Sequence, residues 1–284
     1  MVEVEKPGIL YMCATPIGNL EDMTYRAVRI LSEVAVIAAE DTRHTRKLLS
    51  HFEIHTRLIS YHEHNKVERG PEIIERLLAG EDVAIVSDAG LPGISDPGSD
   101  LVALAIIAGI TVVPLPGANA ALSALVASGL DTTLFTFIGF LPKNKKKRRE
   151  LITSLVTNPY TMIFYESPHH LKVTLTELKG AFGEERLAVA ARELTKKFEQ
   201  FVRGTLATVG QHFAQCDPRG EFTLIVAGQP ECQRTEPLIV DESISLVDAV
   251  MALVETGTTK KDAIKVIAQQ RGLPKREVYQ AVLG

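Results

Sequence analysis

Cysteine is scarce in this chain of 284 residues: Cys13, Cys216 and Cys232 are all it has, and no two of them form a C-x-x-C pair. Neither a disulfide framework nor a thiolate zinc site is expected, and a reducing compartment fits. The eight histidines include His62 with His64 and His169 with His170, yet no H-E-x-x-H spacing occurs, so no metal is expected. Long apolar runs are missing too, since Gly, Pro or Asp interrupts each one well short of the ~20 residues that span a bilayer. The stretch 1–8 carries Glu3, Glu5 and Lys6 in place of a signal peptide's apolar core. A cytoplasmic protein without membrane association is therefore expected. Neither G-x-G-x-x-G nor G-x-x-x-x-G-K-[ST] is present, which argues against a pyrophosphate cradle of either common kind. Nor does one sign of charge dominate: 31 Lys and Arg face 35 Asp and Glu, for a formal charge of -4. Such a chain is no indiscriminate polycation, and any anion-binding surface must be local.

What is present is the composition of a folded globular protein, 45% hydrophobic and 23% charged, with a length that suggests about two domains. Short runs rich in β-branched residues at 9–14, 34–39, 57–60, 83–87 and 110–114 each precede a stretch with helical spacing, the pattern of a parallel α/β sheet. The run Val83-Ala84-Ile85-Val86 has no polar alternation and reads as a central strand covered on both faces. Further strands are expected at 135–138, 162–165, 187–191, 199–202 and 222–227, with fewer helices between them, hence a mixed sheet. After a polar linker at 231–236, three helices are expected at 243–255, 259–270 and 274–283, with Thr258 or Thr259 capping the second and Pro274 opening the third. The tight turn Arg271-Gly272-Leu273 also fits a helix-turn-helix, while a helical lid or dimerisation element fits equally well. The expected domains are 1–116, 117–230 and 231–284.

Open α/β sheets bind ligands at the carboxyl edge of their strands, which directs attention to the loops there. The first strand runs into Thr15-Pro16-Ile17-Gly18, and the most buried one into a long loop with three glycines and two prolines, from Ser87-Asp88-Ala89-Gly90-Leu91 to Asp96-Pro97-Gly98. Pro and Gly at that density fix an unusual backbone path, as a binding loop requires. Asp88 suits either a ligand contact or a turn. A third loop carries Asn119 and Ala120 into an Ala-rich helix at the junction of the two α/β regions, where Asn119 suits a cap and small residues suit a flat ligand. Glu40, Asp41, Arg43 and His44 follow one strand, and Glu166, Arg192, Glu193 and Lys196 follow others, as candidate acid, base or positioning groups. Arg192 and Glu193 also fit a structural ion pair. The strongest electrostatic feature is Lys143-Asn144-Lys145-Lys146-Lys147-Arg148-Arg149, six cations in seven residues. Such a run at a helix start opposes the helix dipole, and clustered cations are rewarded by phosphate backbones through counterion release. Lys260, Lys261, Lys265, Arg271, Lys275 and Arg276 make the C-terminal helices basic as well, so a large folded nucleic acid is the expected partner.

These residues carry a resemblance. Thr15-Pro16-Ile17-Gly18-Asn19-Leu20, Ala39-Glu40-Asp41-Thr42-Arg43-His44, Ser87-Asp88-Ala89-Gly90, Gly139-Phe140-Leu141-Pro142, Phe164-Tyr165-Glu166-Ser167, Ala191-Arg192-Glu193-Leu194-Thr195-Lys196 and Gly220-Glu221-Phe222 resemble, in order, the tetrapyrrole-methylase superfamily and within it the ribosomal RNA small subunit methyltransferase I family. The resemblance implies two α/β domains with the methyl donor S-adenosylmethionine in the cleft between them, a small C-terminal helical domain, a homodimer, and 2'-O-methylation of a decoding-region cytidine of 16S rRNA in the small ribosomal subunit. It implies a donor site at Thr15, Pro16, Ile17, Gly18, Asp88, Ala89, Gly90, Leu91, Asn119 and Ala120, with Glu166, Arg192 and Thr223 on the far side. Leu91 stands where the family commonly has Thr, which leaves that position without a hydroxyl. Candidate catalytic groups are Glu40, Asp41, Glu166, Arg192, Glu193 and Lys196. Candidate RNA contacts are Arg43, His44, Lys143, Lys145, Lys146, Lys147, Arg148, Arg149, Lys275 and Arg276. Two alternatives remain: methylation of a tetrapyrrole or other small acceptor, and an RNA-binding protein that uses the donor as an effector.

Overall fold

In the computed structural model the described residues are 6–229, 244–255 and 259–283. Cys232, the linker at 231–236 and the alternative cap Thr258 lie outside them. The chain divides into two compact units, Met1–Pro230 and Glu231–Gly284, so both sheets share the first unit.

The first sheet contains β1 (Ile9–Cys13), β2 (Val36–Ala39), β3 (Leu58–Ser60), β4 (Val83–Val86) and β5 (Thr111–Leu115) in the order β3-β2-β4-β1-β5, all parallel. Every residue of β2 and β4 is buried, as their lack of polar alternation requires. Helices α1 (Tyr25–Glu33) and α2 (Thr42–His51) cover one face, where Leu31 and Leu49 pack on Ile37 and Ala84. On the other face, α3 (Lys66–Leu78) and α4 (Gly98–Ile107) bring Ile73, Leu77 and Leu101 against Leu10, Val83 and Ile85. Thr24 and Asp41 cap α1 and α2 by accepting the N–H groups of Ala27 and Arg43. Because β1 lies between β4 and β5, the loops that follow these three strands open side by side at one edge.

Helix α5 (Ala120–Val126) leads to the second sheet, in which β6 (Phe135–Phe140), β7 (Thr161–Glu166), β8 (Leu187–Arg192), β9 (Gln200–Thr205) and β10 (Phe222–Val226) take the order β6-β7-β10-β8-β9. Only β6 and β7 pair in parallel, so the sheet is mixed. One face packs on α6 (Lys145–Ser154), α7 (Leu171–Phe182) and α8 (Leu206–Ala214) through Ile152, Leu175, Leu178 and Phe213. The other receives Ala121, Ala124 and Leu125 of α5. Register places Glu166, Phe222 and Arg192 side by side, which defines the edge of this sheet that carries the strand-end candidates.

The second unit consists, among the described residues, of α9 (Leu246–Glu255), α10 (Lys260–Gln270) and α11 (Lys275–Leu283) around Val250, Ile264, Ile267 and Val278. Thr259 caps α10, and Gly272 at φ 62 makes the left-handed turn into α11.

Candidate functional site

Three loops are stitched together at the edge of the first sheet. Thr15 and Gly90 exchange backbone hydrogen bonds at 2.9 and 3.0 Å, joining the loop after β1 to the loop after β4. Gly90, at φ +80, faces Ile17 and the carbonyl of Ala118. A side chain at Gly117 would meet the Ala14 Cβ at 2.8 Å, so its hydrogen lets the third loop close on the first. Within the β4 loop both oxygens of Asp96 accept from the Gly93 N–H, and Oδ1 also accepts from Gly98. That carboxylate organises the loop from within.

Where this edge meets that of the second sheet, the chain encloses a cleft of about 480 Å3. Of the expected donor residues, Ile17, Asp88, Ala89, Gly90, Leu91, Asn119, Ala120, Glu166 and Thr223 line it together. The others stand aside. Thr15 is 3% exposed and its hydroxyl donates to the Ser87 carbonyl, so it braces the loop from behind. Pro16 and Gly18 are not among the lining residues, and Gly18 instead packs where a Cβ would strike the Lys196 side chain at 2.3 Å. Arg192 turns away and donates from Nε to the Arg219 carbonyl at 2.7 Å. Asn119 caps α5 through the Leu122 N–H and still reaches the cleft.

The candidate acids differ sharply in environment. Glu40 lines the cleft, where burial, reinforced by the charges of Asp88 and Asp96, holds its carboxyl above the ordinary range. Asp41, one residue on, is held down at about 2 by the Arg43 guanidinium and the Arg43 backbone N–H. Its own backbone N–H donates to Asp88 Oδ1 at 3.0 Å. Glu166 is 8% exposed and both its oxygens are engaged, with the Ser167 N–H at 2.7 Å and the Thr174 hydroxyl at 2.5 Å. It ties the end of β7 to α7. Glu193 does not pair with Arg192: the chain leaves β8 after Arg192 and turns at Glu193, whose φ is 50, so that Glu193 accepts from Lys196 Nζ at 2.9 Å and from the Glu221 N–H. Burial raises the Glu193 carboxyl, but these donors more than offset it and hold it low; burial lowers Lys196, but its bonds to Glu221 and Glu193 hold it high. Lys196 is thus a strut between Glu193 and Glu221, with Gly18 beneath it.

The cationic run forms the first turns of α6, with Asn144 capping the Lys146 and Lys147 N–H groups. Lys143, Lys145, Lys146, Lys147 and Arg149 are exposed. Arg148 is the exception, because it forms a two-toothed pair with Glu177 of α7, Nε to Oε2 at 2.6 Å and Nη2 to Oε1 at 2.9 Å. It braces α6 to α7. Arg43 and His44 are exposed on the first turn of α2, and Lys275 and Arg276 on that of α11. Lys260, Lys261 and Lys275 surround a depression floored by Ile264 and Tyr279 within the helical unit.

Several lining residues are not among those predicted, notably Phe140, Tyr165, Ser95, Asp96 and Glu221. Their signal in the sequence is position, since Phe140 and Tyr165 lie at the ends of β6 and β7, Glu221 immediately precedes β10, and Ser95 and Asp96 belong to the β4 loop. Among the described residues no group of three His, Cys, Asp or Glu side chains is arranged to hold a metal ion, and no helix is long and apolar enough to cross a membrane.

The family profile of the tetrapyrrole (corrin/porphyrin) methylases matches residues 10–210. A Halalkalibacterium halodurans protein named ribosomal RNA small subunit methyltransferase I is 52% identical over 273 residues, covering 96% of this chain and 93% of the relative. A Synechocystis protein of the same name is 49% identical over 276 residues, covering 97% of this chain and 98% of the relative. Among solved structures, a diphthine synthase superposes with a TM-score of 0.58 at 13% identity, over 78% of this chain and 90% of that one. A Thermus thermophilus uroporphyrin-III C-methyltransferase in complex with S-adenosylhomocysteine gives 0.56 at 17% identity, over 78% and 97%.

Proposed function

Since the chain belongs to the tetrapyrrole (corrin/porphyrin) methylase family, in its ribosomal RNA small subunit methyltransferase I branch, we propose that it is an S-adenosylmethionine-dependent methyltransferase of 16S rRNA, acting on the ribose 2'-oxygen of a decoding-region cytidine. One observation carries the proposal beyond the relatives' names: a run of exposed cations follows directly on β6, the strand whose last residue lines the cleft. A small acceptor would leave those cations without a role.

The cleft suits the donor. Its walls offer carboxylates at Glu40 and Asp88 to a cationic sulfonium and amino group, and small residues at Ala89, Gly90 and Ala120 to a flat adenine. S-adenosylmethionine has no phosphate, which accounts for a strand-edge site without a phosphate-binding fingerprint. When bound, it supplies a methyl group on an already activated leaving group. The protein's task is then to align the ribose hydroxyl with that methyl, exclude water and accept a proton. Glu40 fits the last role better than Asp41, because a carboxylate held at about 2 is a weak proton acceptor, whereas burial makes Glu40 a stronger one. Glu166 and Lys196 hold the site's shape through their fixed partners. Arg43, His44 and the exposed cations of α6 contact the RNA backbone, joined by Lys275 and Arg276 of the helical unit.

A small-subunit substrate supports a cytoplasmic location. A homodimer is supported by apolar side chains left exposed on α4 and α5, among them Ile106, Ile107, Leu122 and Val126. The deciding experiment incubates the protein with labelled S-adenosylmethionine and small subunits from cells lacking it, then maps the modified nucleotide by mass spectrometry. Label on a cytidine 2'-oxygen in the decoding region is expected. No label in RNA, with donor binding demonstrated, refutes the proposal.

A further inference from the structure

Phe140 is an exposed aromatic ring at the entrance to the cleft, and its position is the product of a specific backbone irregularity. In the pairing of β6 with β7, Phe137 stands opposite Ile163, Gly139 opposite Phe164 and Phe140 opposite Tyr165, with a register shift between Phe137 and Gly139. One extra residue in a strand reverses the face of every side chain beyond it. Without it, Phe140 stands opposite Glu166 and points toward the core under α6 and α7. With it, Phe140 shares the face of Tyr165 and lines the cleft. Gly139 makes this possible, at φ +70 and with the Ser95 hydroxyl only 3.0 Å from where a Cβ would stand.

The result is an apolar ring left 60% exposed to water. It is held in place from one side, since the Tyr165 ring lies 5.5 Å away at 58° and is itself braced edge-on by Phe137 at 5.2 Å. A large ring both fixed and exposed beside a reaction cleft is a platform for another flat group. Three residues further on, within at most ~10 Å of chain, Lys143 begins the exposed cationic run. An aromatic platform next to free cations is how proteins hold an unstacked nucleotide, with the base on the ring and the phosphates on the charges.

We propose that Phe140 is the stacking platform for the base of the nucleotide being methylated, which is drawn out of its helix so that its ribose enters the cleft while Lys143, Lys145 and Lys146 hold the neighbouring phosphates. This builds on the RNA-methyltransferase reading above. An RNA helix displays its 2'-hydroxyls in a shallow minor groove, but bringing one between the walls of a cleft lined from both sheets requires the nucleotide to leave the stack, and extrusion costs a few kcal/mol that a stacking surface offsets. The ring contributes to binding of the acceptor and leaves donor binding alone.

The test replaces Phe140 with Ala, Leu, Tyr and Trp and measures methyl transfer to unmodified small subunits alongside donor affinity by calorimetry. Stacking requires a π face, so Phe140→Ala and Phe140→Leu are both expected to lower kcat/KM for the subunit by about tenfold to a hundredfold. Phe140→Tyr and Phe140→Trp are expected to retain activity to within a few-fold, and all four to bind donor within about twofold of the parent. The chain contains no tryptophan, so Phe140→Trp also introduces a sole tryptophan, whose emission, excited selectively over the six tyrosines, is expected to be quenched when protein-free small-subunit RNA is added. Full activity in Phe140→Leu shows that only apolar bulk matters and overturns the proposal. So does loss of donor affinity in parallel with activity, which makes the ring part of the donor pocket. A parent protein that labels no RNA fails the underlying reading and this proposal with it; a parent that labels RNA as well as Phe140→Ala does refutes the platform alone.

Discussion

Replacing Lys145, Lys146, Lys147 and Arg149 together by Ala separates the charges that face solvent from the one that holds the fold. Arg148 is spared because its guanidinium is committed to Glu177 on α7. The four others are exposed, and the structure gives none of them an ion-pair partner among the described residues. Each cation that neutralises a phosphate contributes about 0.7 to 0.9 to the slope of log K against log salt. Four such contacts reduce the slope by about 3, and two proteins that converge at 1 M salt then differ about a thousandfold in RNA affinity at 0.1 M. Filter binding or fluorescence anisotropy with unmodified small-subunit RNA across a salt series reads the slope, and calorimetry with the donor is expected to show no change. The melting temperature should not fall, since cations at a helix start oppose its dipole and Ala favours the helix. Arg148→Ala should behave in the opposite way, lowering the melting temperature by roughly a few degrees while leaving the slope unchanged. A slope change below 1 for the fourfold variant, or a full unit for Arg148→Ala alone, refutes this division of labour.

Three further outcomes follow from the site. Gly139→Ala places a Cβ at φ +70 and against the Ser95 hydroxyl; a cost of about 1 kcal/mol or more is expected, read as a lower melting temperature, with RNA methylation falling further than donor affinity. Asp88→Asn keeps an oxygen for the Asp41 N–H, so it isolates the charge; donor affinity should fall about tenfold by calorimetry with an unchanged melting temperature, and unchanged affinity assigns Asp88 to loop structure. Glu40→Gln should stabilise the protein above the ordinary carboxylate range. The folded state holds the Glu40 proton more tightly than the unfolded chain does, so ionisation destabilises the fold, and the gain should grow from near zero below pH ~4 as pH rises through the raised folded value. Thermal melts across pH check this, and an equal gain at every pH removes the titration from the explanation.

The strands were legible because short β-branched runs alternate with stretches of helical spacing, and the fully apolar β2 and β4 announce two covered faces. The donor loops were legible for another reason, as glycine and proline mark backbone paths that ordinary residues avoid. What stayed hidden depends on partners distant in sequence. Charge counting cannot distinguish Arg148 from its neighbours, since Glu177 lies 29 positions away. Adjacency suggested that Arg192 pairs with Glu193, yet the left-handed turn at Glu193, just past the end of β8, sends them to different neighbours. Thr15 stands in a motif that faces the site, but its hydroxyl serves the Ser87 carbonyl behind the loop. The extra residue in β6 is invisible locally, because the face that Phe140 presents is decided by pairing with β7.

The two backbone hydrogen bonds between Thr15 and Gly90 join segments separated by 75 positions, so this wall of the pocket exists only when both are in place. Bringing them together carries the closure entropy of that separation, and in the native sheet the pairing of β1 beside β4 offsets it. The pocket thus depends on contacts far apart in the chain, and its affinity for a small molecule doubles as a report that the central strands have found each other. A variant that shifts the register of β1 against β4 is accordingly expected to lose donor affinity even when every lining residue is retained.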